Sequence, residues 1–155
     1  MVAAVALGSN LGDRISHLAF ARERLTVLLA NVRFSSILET APVGSDVPQQ
    51  DYLNQAAVGE TTLTARELLA ALHDIERERG RDRPFVNAPR TLDLDLILFG
   101  DRVIDEEGLH IPHPRFRGRR FVLEPLAQIA PELRDPISGT TVRELLARTL
   151  AGESA

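Results

Sequence analysis

The sequence predicts an α+β fold, a ferredoxin-like split βαβ core with added strands and helices. The predicted elements run strand, helix, strand, long loop, strand, helix, strand, followed by mixed helical pieces. This order gives two βαβ-like halves around a hairpin-like centre. A doubly wound parallel fold is less favoured because only two long helices precede the fourth strand. A length of 155 residues with 44% hydrophobic content fits a single domain over 1–155.

The first half contains two predicted strands joined by a helix. Residues 2–7 form an apolar run typical of a buried strand, which turn residues then break. An apolar stripe at helical spacing predicts an amphipathic helix over 13–30. Residues 32–39 alternate imperfectly and predict one further strand. A polar loop punctuated by Pro and Gly covers 41–51, and loops of this length are often functional.

The second half repeats the pattern and then becomes irregular. A strand is predicted over 52–62, and a capping box at Thr64 opens a helix that stops near Gly80. Residues 81–89 are irregular, and Pro89 keeps the chain extended on entry into the next strand.

The C-terminal third predicts shorter elements. A turn-and-strand return is expected over 101–105 and a rigid, Pro-flanked segment over 111–115. A short helix is predicted over 121–129. A second capping box, at Thr141, opens a final helix whose end should fray over 151–155.

Two carboxylates interrupt the apolar strand over 90–100. Asp93 and Asp95 share one strand face, where two ionised groups would repel unless cations lie between them. Because Mg²⁺ prefers hard oxygen ligands, a divalent-metal site is one interpretation. The other is an edge strand with both Asp in water and with four leucines on the core face, Leu92, Leu94, Leu96 and Leu98. Spacing alone leaves both open.

Composition excludes several kinds of chemistry. All 18 Lys and Arg residues are Arg, which excludes a P-loop lysine, a protein-kinase lysine and a Schiff base. Cysteine is absent, so disulfides and thiolate metal sites are excluded. A net charge of −4 does not favour general nucleic-acid binding. No apolar run reaches the length of a membrane span, and we expect a cytoplasmic protein.

Other polar positions are candidates for ligand binding. Tyr52 and Asn54 share a strand face and could hold a planar heterocycle. In the simpler account, Tyr52 packs in the core and Asn54 caps a turn. Glu76, near a helix C-terminus, needs a cationic partner or is plain surface charge. His113 lies between two prolines and could donate to an anion, or be an ordinary surface residue.

Four arginines form a concentrated positive patch without an acid between them. They are Arg115, Arg117, Arg119 and Arg120. A solvated loop is the commoner fate of such a charge run.

Five motifs in order carry a family resemblance. They are residues 6–12 (ALGSNLG), 51–54 (DYLN), 89–95 (PRTLDLD), 111–115 (IPHPR) and 121–126 (FVLEPL). Together they resemble the 6-hydroxymethyl-7,8-dihydropterin pyrophosphokinases of folate biosynthesis, over a stretch from about residue 3 to the last helix. Each motif alone is weak, but five in this order and spacing are specific.

The resemblance implies transfer of pyrophosphate from ATP to the hydroxymethyl oxygen of the pterin, with release of AMP. It implies two Mg²⁺ ions held by Asp93 and Asp95. The implied ATP-binding residues are Glu76, Arg81, Arg83, Arg90, His113 and Arg119. Of these, Arg81 and Arg90 would join the two aspartates as catalytic residues. The implied pterin pocket is Thr40, Pro42, Val43, Tyr52, Asn54 and Phe121.

Two positions depart from the family pattern. Residues 86–88 lack the Trp of many members, so closure of that loop over the pterin would differ. A phosphate-binding Arg near Gly108 is also missing, and Arg115 or Arg117 could replace it. The expected partners are ATP and the pterin alone, bound by a monomer, with no nucleic acid and no membrane. The alternatives are a non-catalytic ferredoxin-like binding module and a two-metal nucleotidyltransferase.

Overall fold

The computed structural model describes residues 1–41, 50–80 and 91–154. The strands of its main sheet are β1 Val2–Ser9, β2 Ala30–Phe34, β3 Leu38–Thr40, β4 Tyr52–Glu60 and β5 Asp93–Phe99. Their order is β2-β4-β1-β5, and β3 also pairs with β4.

The pairing interleaves two βαβ units. Strands β1 and β2 are both antiparallel to β4, which lies between them, and are therefore parallel to each other. In the same way β4 and β5 are both antiparallel to the intervening β1. This topology confirms the predicted α+β, ferredoxin-like split βαβ core.

Helices cover both faces of the sheet. They are α1 Arg14–Leu28, α2 Ala65–Glu78, α3 Arg120–Ile129 and α4 Val142–Ser154. Buried residues of α1 and α2 pack with Val5 and Leu7 on one face, which we call the inner face. On the opposite face, which we call the site face, α3 and α4 pack over Ala4 and Val58. A 3-10 turn at Phe116–Gly118 precedes α3 and buries Phe116 completely.

Both α1 and α2 begin at a capping residue, and only the cap of α2 was predicted. Asp13 caps α1 by accepting from the backbone N–H of Ser16. The capping box of α2 is complete, with Thr64 and Glu67 each accepting from the other's backbone N–H. Such caps stabilise a helix by roughly 1 kcal/mol. The last helix extends to Ser154, beyond the residue at which fraying was predicted to begin.

The strand predicted over 32–39 is wrong in one respect, because it is two strands. Ser35 lies between them, and its backbone N–H donates to the carbonyl oxygen of Ala56 at 3.0 Å. The hydroxyl of Ser35 accepts from the N–H of Ala56 at 2.9 Å, where a backbone carbonyl would otherwise bond. A local side-chain bond thus interrupts the ladder between β2 and β3.

The edge-strand alternative is wrong about the face of Leu98. Leu92, Leu94 and Leu96 pack in the inner-face core, whereas Leu98 packs with Ile97 on the site face. The pairing with β1 shifts between Ala4 and Val5, so that Ile97 is an extra residue in β5. A β-bulge of this kind reverses the side-chain alternation that follows it.

The C-terminal third contains a hairpin that was only half predicted. Ile104–Glu106 forms β6, near the predicted return, and Leu109–Ile111 forms β7, which was not predicted as a strand. None of the helices in the described parts of the chain is long and apolar enough to cross a membrane.

Candidate active site

One row of residues crosses four strands on the site face. Leu38 pairs with Asn54, Asn54 with Gly8, and Gly8 with Asp93. Residues directly opposite one another in antiparallel strands direct their side chains to the same face. The register therefore places the amide of Asn54 and the carboxylate of Asp93 on one surface, two strands apart.

The pterin candidates of β3 and β4 share this surface. Thr40 lies opposite Tyr52, two residues along from the pair of Leu38 and Asn54. This confirms that Tyr52 and Asn54 lie on one face, since alternate residues of a strand do so. The ring of Tyr52 is half-buried.

The amide of Asn54 is fixed by the neighbouring strand. Its side chain is 6% exposed, and its Nδ2 donates to the carbonyl oxygen of Leu38 at 3.1 Å and to Thr40 Oγ1 at 2.9 Å. Asn54 therefore bonds along the sheet and does not cap a turn. Because both amide hydrogens are directed to β3, Oδ1 is turned the other way, toward β1.

The two aspartates open onto a cleft of about 330 Å³ at the edge of the sheet. Strand β5 ends the main sheet, as the edge-strand alternative proposed. Asp93 and Asp95 are nevertheless half-buried, and they share the cleft with His113 and Arg119. The carboxylates thus lie among cationic and polar groups and not in open water.

Glu76 joins the aspartates in this cleft, although it comes from α2. Its side chain is 1% exposed, so the simpler account of Glu76 as surface charge is wrong. Oε2 accepts from the backbone N–H of Leu94 at 2.8 Å. The carboxylate therefore satisfies a donor of the edge strand between the two aspartates and holds α2 against it.

His113 is placed to donate a hydrogen bond into the cleft. Burial lowers its pKa, and the positive charges of Arg119 and Arg115 lower it further, against the opposing effect of Asp93. These effects favour a neutral imidazole. Nδ1 accepts from the backbone N–H of Arg115 at 3.2 Å, so the ring proton belongs on Nε2.

The positive patch separates into residues with different partners. Arg119 lines the cleft, and its guanidinium carbon lies 5.6 Å from the ring centroid of Phe121. Arg117 instead pairs with the buried carboxylate of Asp135. Its guanidinium is therefore engaged outside the cleft, and Arg115, which is exposed beside His113, remains the candidate replacement for the missing arginine.

Phe121 stands in the first turn of α3, which packs against β4 and contacts β3. Its side chain is 40% exposed. Several predicted site residues lie outside the described parts of the chain. They are Pro42, Val43, Arg81, Arg83 and Arg90, together with residues 86–88.

Sequence reasoning missed three residues that the fold brings to this region. His73 and His110 line the cleft, from α2 and β7. His73 lies three residues before Glu76, a helical spacing that could have indicated a shared face. The first strand was predicted to end at residue 7, where turn-forming residues begin, but Gly8 is part of β1.

The side chains of the cleft offer two carboxylates as oxygen ligands for a divalent cation. No cluster of three or more metal-ligating side chains occurs among the described residues. Mg²⁺ commonly binds through one or two carboxylates, with water and substrate phosphates completing its octahedron. Two aspartates on one face therefore suit Mg²⁺ that arrives with a phosphorylated ligand.

The fold and cleft together define a class of protein. Carboxylates, an imidazole and a guanidinium that converge in one cleft are the groups that enzymes use to bind and transfer phosphoryl groups. A model of the family 7,8-dihydro-6-hydroxymethylpterin-pyrophosphokinase (HPPK) matches residues 4–131. The chain belongs to this family.

Curated relatives agree with this assignment. The chain is 42% identical over 146 residues to a 2-amino-4-hydroxy-6-hydroxymethyldihydropteridine pyrophosphokinase of Synechocystis, covering 93% of this chain and 74% of the relative. It is 42% identical over 148 residues to the Bacillus subtilis protein of the same name, covering 92% and 87%.

Solved structures share the fold of this chain. Plasmodium falciparum HPPK-DHPS matches with a TM-score of 0.77 at 16% identity, covering 97% of this chain and 44% of that one. The present chain spans less than half the length of that protein.

Proposed function

We propose that this chain transfers the pyrophosphoryl group of ATP to the hydroxymethyl oxygen of 6-hydroxymethyl-7,8-dihydropterin and releases AMP. Family membership supports the reaction. The single observation that supports its location is the strand register, which puts Asn54 and Asp93 on one face, two strands apart. The amide of Asn54, which can bind a polar ring, thus lies near the carboxylate of Asp93, which can bind a metal–phosphate complex.

The pterin is bound on this surface where β3 and β4 lie, and it extends over β1 toward the cleft. Tyr52 and Phe121 offer aromatic faces for stacking, which contributes about 0.5–1.5 kcal/mol per pair beyond the area buried. Oδ1 of Asn54 accepts from N–H groups of the ring, because its amide hydrogens are held by Leu38 and Thr40. Pro42 and Val43 are proposed to complete the pocket.

ATP is bound at the β5 end, in the cleft. Arg119 and the Nε2–H of His113 donate to phosphate oxygens, joined by Arg81, Arg83 and Arg90. Asp93 and Asp95 would hold two Mg²⁺ ions, which when bound neutralise phosphate charge and orient the triphosphate. Glu76 and the nucleotide then share this cleft.

The reaction exchanges one phosphorus–oxygen bond for another. The hydroxymethyl oxygen attacks the β-phosphorus of ATP and loses its proton to solvent, while the bond from that phosphorus to the α–β bridging oxygen breaks. AMP leaves with that oxygen. The arginines stabilise charge that moves onto it, which is the usual source of catalysis in phosphoryl transfer.

Product analysis tests the proposal against the nucleotidyltransferase alternative. Purified protein, ATP, Mg²⁺ and the pterin alcohol should give AMP and a pterin diphosphate in equal amounts, resolved by ³¹P NMR. Pyrophosphate with a pterin–AMP adduct would instead establish nucleotidyl transfer. Binding of the pterin without any product would favour the binding-module alternative.

Other expectations rest on the sequence and the family. We propose a single domain over 1–155 that acts as a monomer in the cytoplasm, without nucleic acid. Gel filtration with light scattering tests the oligomeric state.

A further inference from the structure

Gly8 occupies an unusual position in the sheet. It lies in β1, the central strand between β4 and β5, where a side chain would normally be covered. Gly8 is nevertheless half-exposed, whereas Leu7 and Ser9 on either side of it are buried. The accessible space is therefore on the site face, directly above the backbone that separates Asn54 from Asp93.

Nothing in the described protein requires glycine at this position. A Cβ added to Gly8 would meet the carbonyl oxygen of Leu53 at 3.8 Å and Asn54 Oδ1 at 3.9 Å, which are ordinary van der Waals distances. Its φ is not in the left-handed region, unlike that of Gly12. Gly59 shows the contrasting case, because a Cβ there would lie 2.8 Å from the Cβ of Leu29.

The open space above Gly8 connects the region of Asn54 with the cleft at Asp93. Adjacent strands are about 4.8 Å apart, so the Cα atoms of Asn54 and Asp93 are separated by about 10 Å with Gly8 midway. Any side chain at residue 8 would stand between the amide and the carboxylate. Without one, a planar ligand can pass over the backbone of β1 from one group to the other.

We propose that Gly8 is a specificity-determining residue, whose absent side chain lets the pterin ring extend over β1 between Asn54 and Asp93. This rests on the proposed function and adds the position of the ring to it. Oδ1 of Asn54 is turned toward β1 and recognises the N–H edge of the ring. The hydroxymethyl group then extends over Gly8 toward the carboxylates, where the ATP phosphates are bound.

The test is Gly8→Ala, with Gly152→Ala as the matched control. Gly152 lies on α4, and a Cβ there meets nothing within 4 Å. Unfolding midpoints, kcat, and KM for the pterin and for ATP are measured for both variants and the wild type. Calorimetry with a non-hydrolysable ATP analogue alone reports the nucleotide subsite independently.

Gly8→Ala should fold with an unfolding midpoint equal to or above that of the wild type, because alanine loses less backbone entropy on folding. Its KM for the pterin should rise at least tenfold, and its affinity for the ATP analogue should change less than twofold. Gly8→Val should raise the pterin KM further. Gly152→Ala should match the wild type in every kinetic parameter.

Three results would overturn the proposal. An unchanged pterin KM in Gly8→Ala would show that the ring does not lie over Gly8. Equal weakening of pterin and nucleotide would show a general disturbance of the site, and a lowered unfolding midpoint would show that the space is not open. If the wild type forms no AMP, the proposed function itself fails, which the same assay separates from failure at Gly8.

Discussion

Replacing Asp135 by Asn should lower stability in a way that depends on pH. The carboxylate is fully buried and accepts from Arg117 Nη2 at 2.9 Å, from the N–H of Ile137 at 3.0 Å and from the hydroxyl of Ser138 at 2.8 Å. The hydrogen bonds of the Arg117 guanidinium are the main reason that the pKa of Asp135 falls from 3.8 to about 2.

The pKa difference sets the size of the effect. One unit of pKa corresponds to about 1.4 kcal/mol, so the ionised carboxylate contributes ~2 kcal/mol to the free energy of unfolding. Because the pKa is lower in the folded protein, the contribution is complete above the unfolded pKa. It is lost as the pH falls from about 4 through about 2.

Urea unfolding at pH 7, 5, 4 and 3 measures this effect. Asp135→Asn should be less stable than the wild type at pH 7 and 5, and the difference should shrink by about 1 kcal/mol toward pH 3, because Asp135 protonates in the unfolded wild type while it stays mostly ionised in the folded protein. Glu132→Gln is the control, since it removes an exposed partner of Arg143 and should change little at any pH. A difference for Asp135→Asn that stayed constant from pH 7 to pH 3 would refute the reasoning.

Three further predictions concern the site and the sheet. Asp93→Asn and Asp95→Asn should each lower kcat at least a hundredfold at saturating Mg²⁺ while retaining the wild-type circular dichroism spectrum, and near-normal turnover would exclude them as metal ligands. Phe121→Ala should weaken pterin binding by on the order of 1–3 kcal/mol, and Arg119→Gln should instead weaken ATP; calorimetry showing equal losses for both ligands would contradict this division. Gly59→Ala should lower the unfolding midpoint, because its Cβ would lie 2.8 Å from that of Leu29, and an unchanged melting curve would contradict this packing.

Local patterns in the sequence predicted much of the fold. The capping box at Thr64 marked the start of α2, an apolar stripe at helical spacing indicated α1, and apolar runs marked β1 and β5. Alternation along a strand was sufficient to put Tyr52 with Asn54, and Asp93 with Asp95, on common faces. These are properties of neighbouring residues, which periodicity reports directly.

Relations between distant strands could not be predicted in this way. The row that joins Asn54, Gly8 and Asp93 depends on the register of three strands, which tertiary packing sets. Gly8 begins a stretch of turn-forming residues, so its place in the central strand was hidden. The bulge at Ile97 inverted the expected face of Leu98 for a similar reason, since no local signal marks an extra residue in a ladder.

Side-chain partners were hidden for the same reason. Arg117 and Asp135 are 18 residues apart, and their pairing removes one arginine from an apparently uniform patch. Glu76 resembled surface charge because its partner is a backbone N–H of β5. Composition reports how many charges a segment has, but burial and pairing decide which of them can meet a ligand.

The most direct test is a crystal structure of the protein with Mg²⁺, a non-hydrolysable ATP analogue and 6-hydroxymethyl-7,8-dihydropterin. The pterin ring should lie on the site face above Gly8, with an N–H group on Asn54 Oδ1 and its hydroxymethyl oxygen directed to the β-phosphorus near Asp93 and Asp95. A pterin bound on the inner face, or a triphosphate bound away from the Asp93 cleft, would contradict the account.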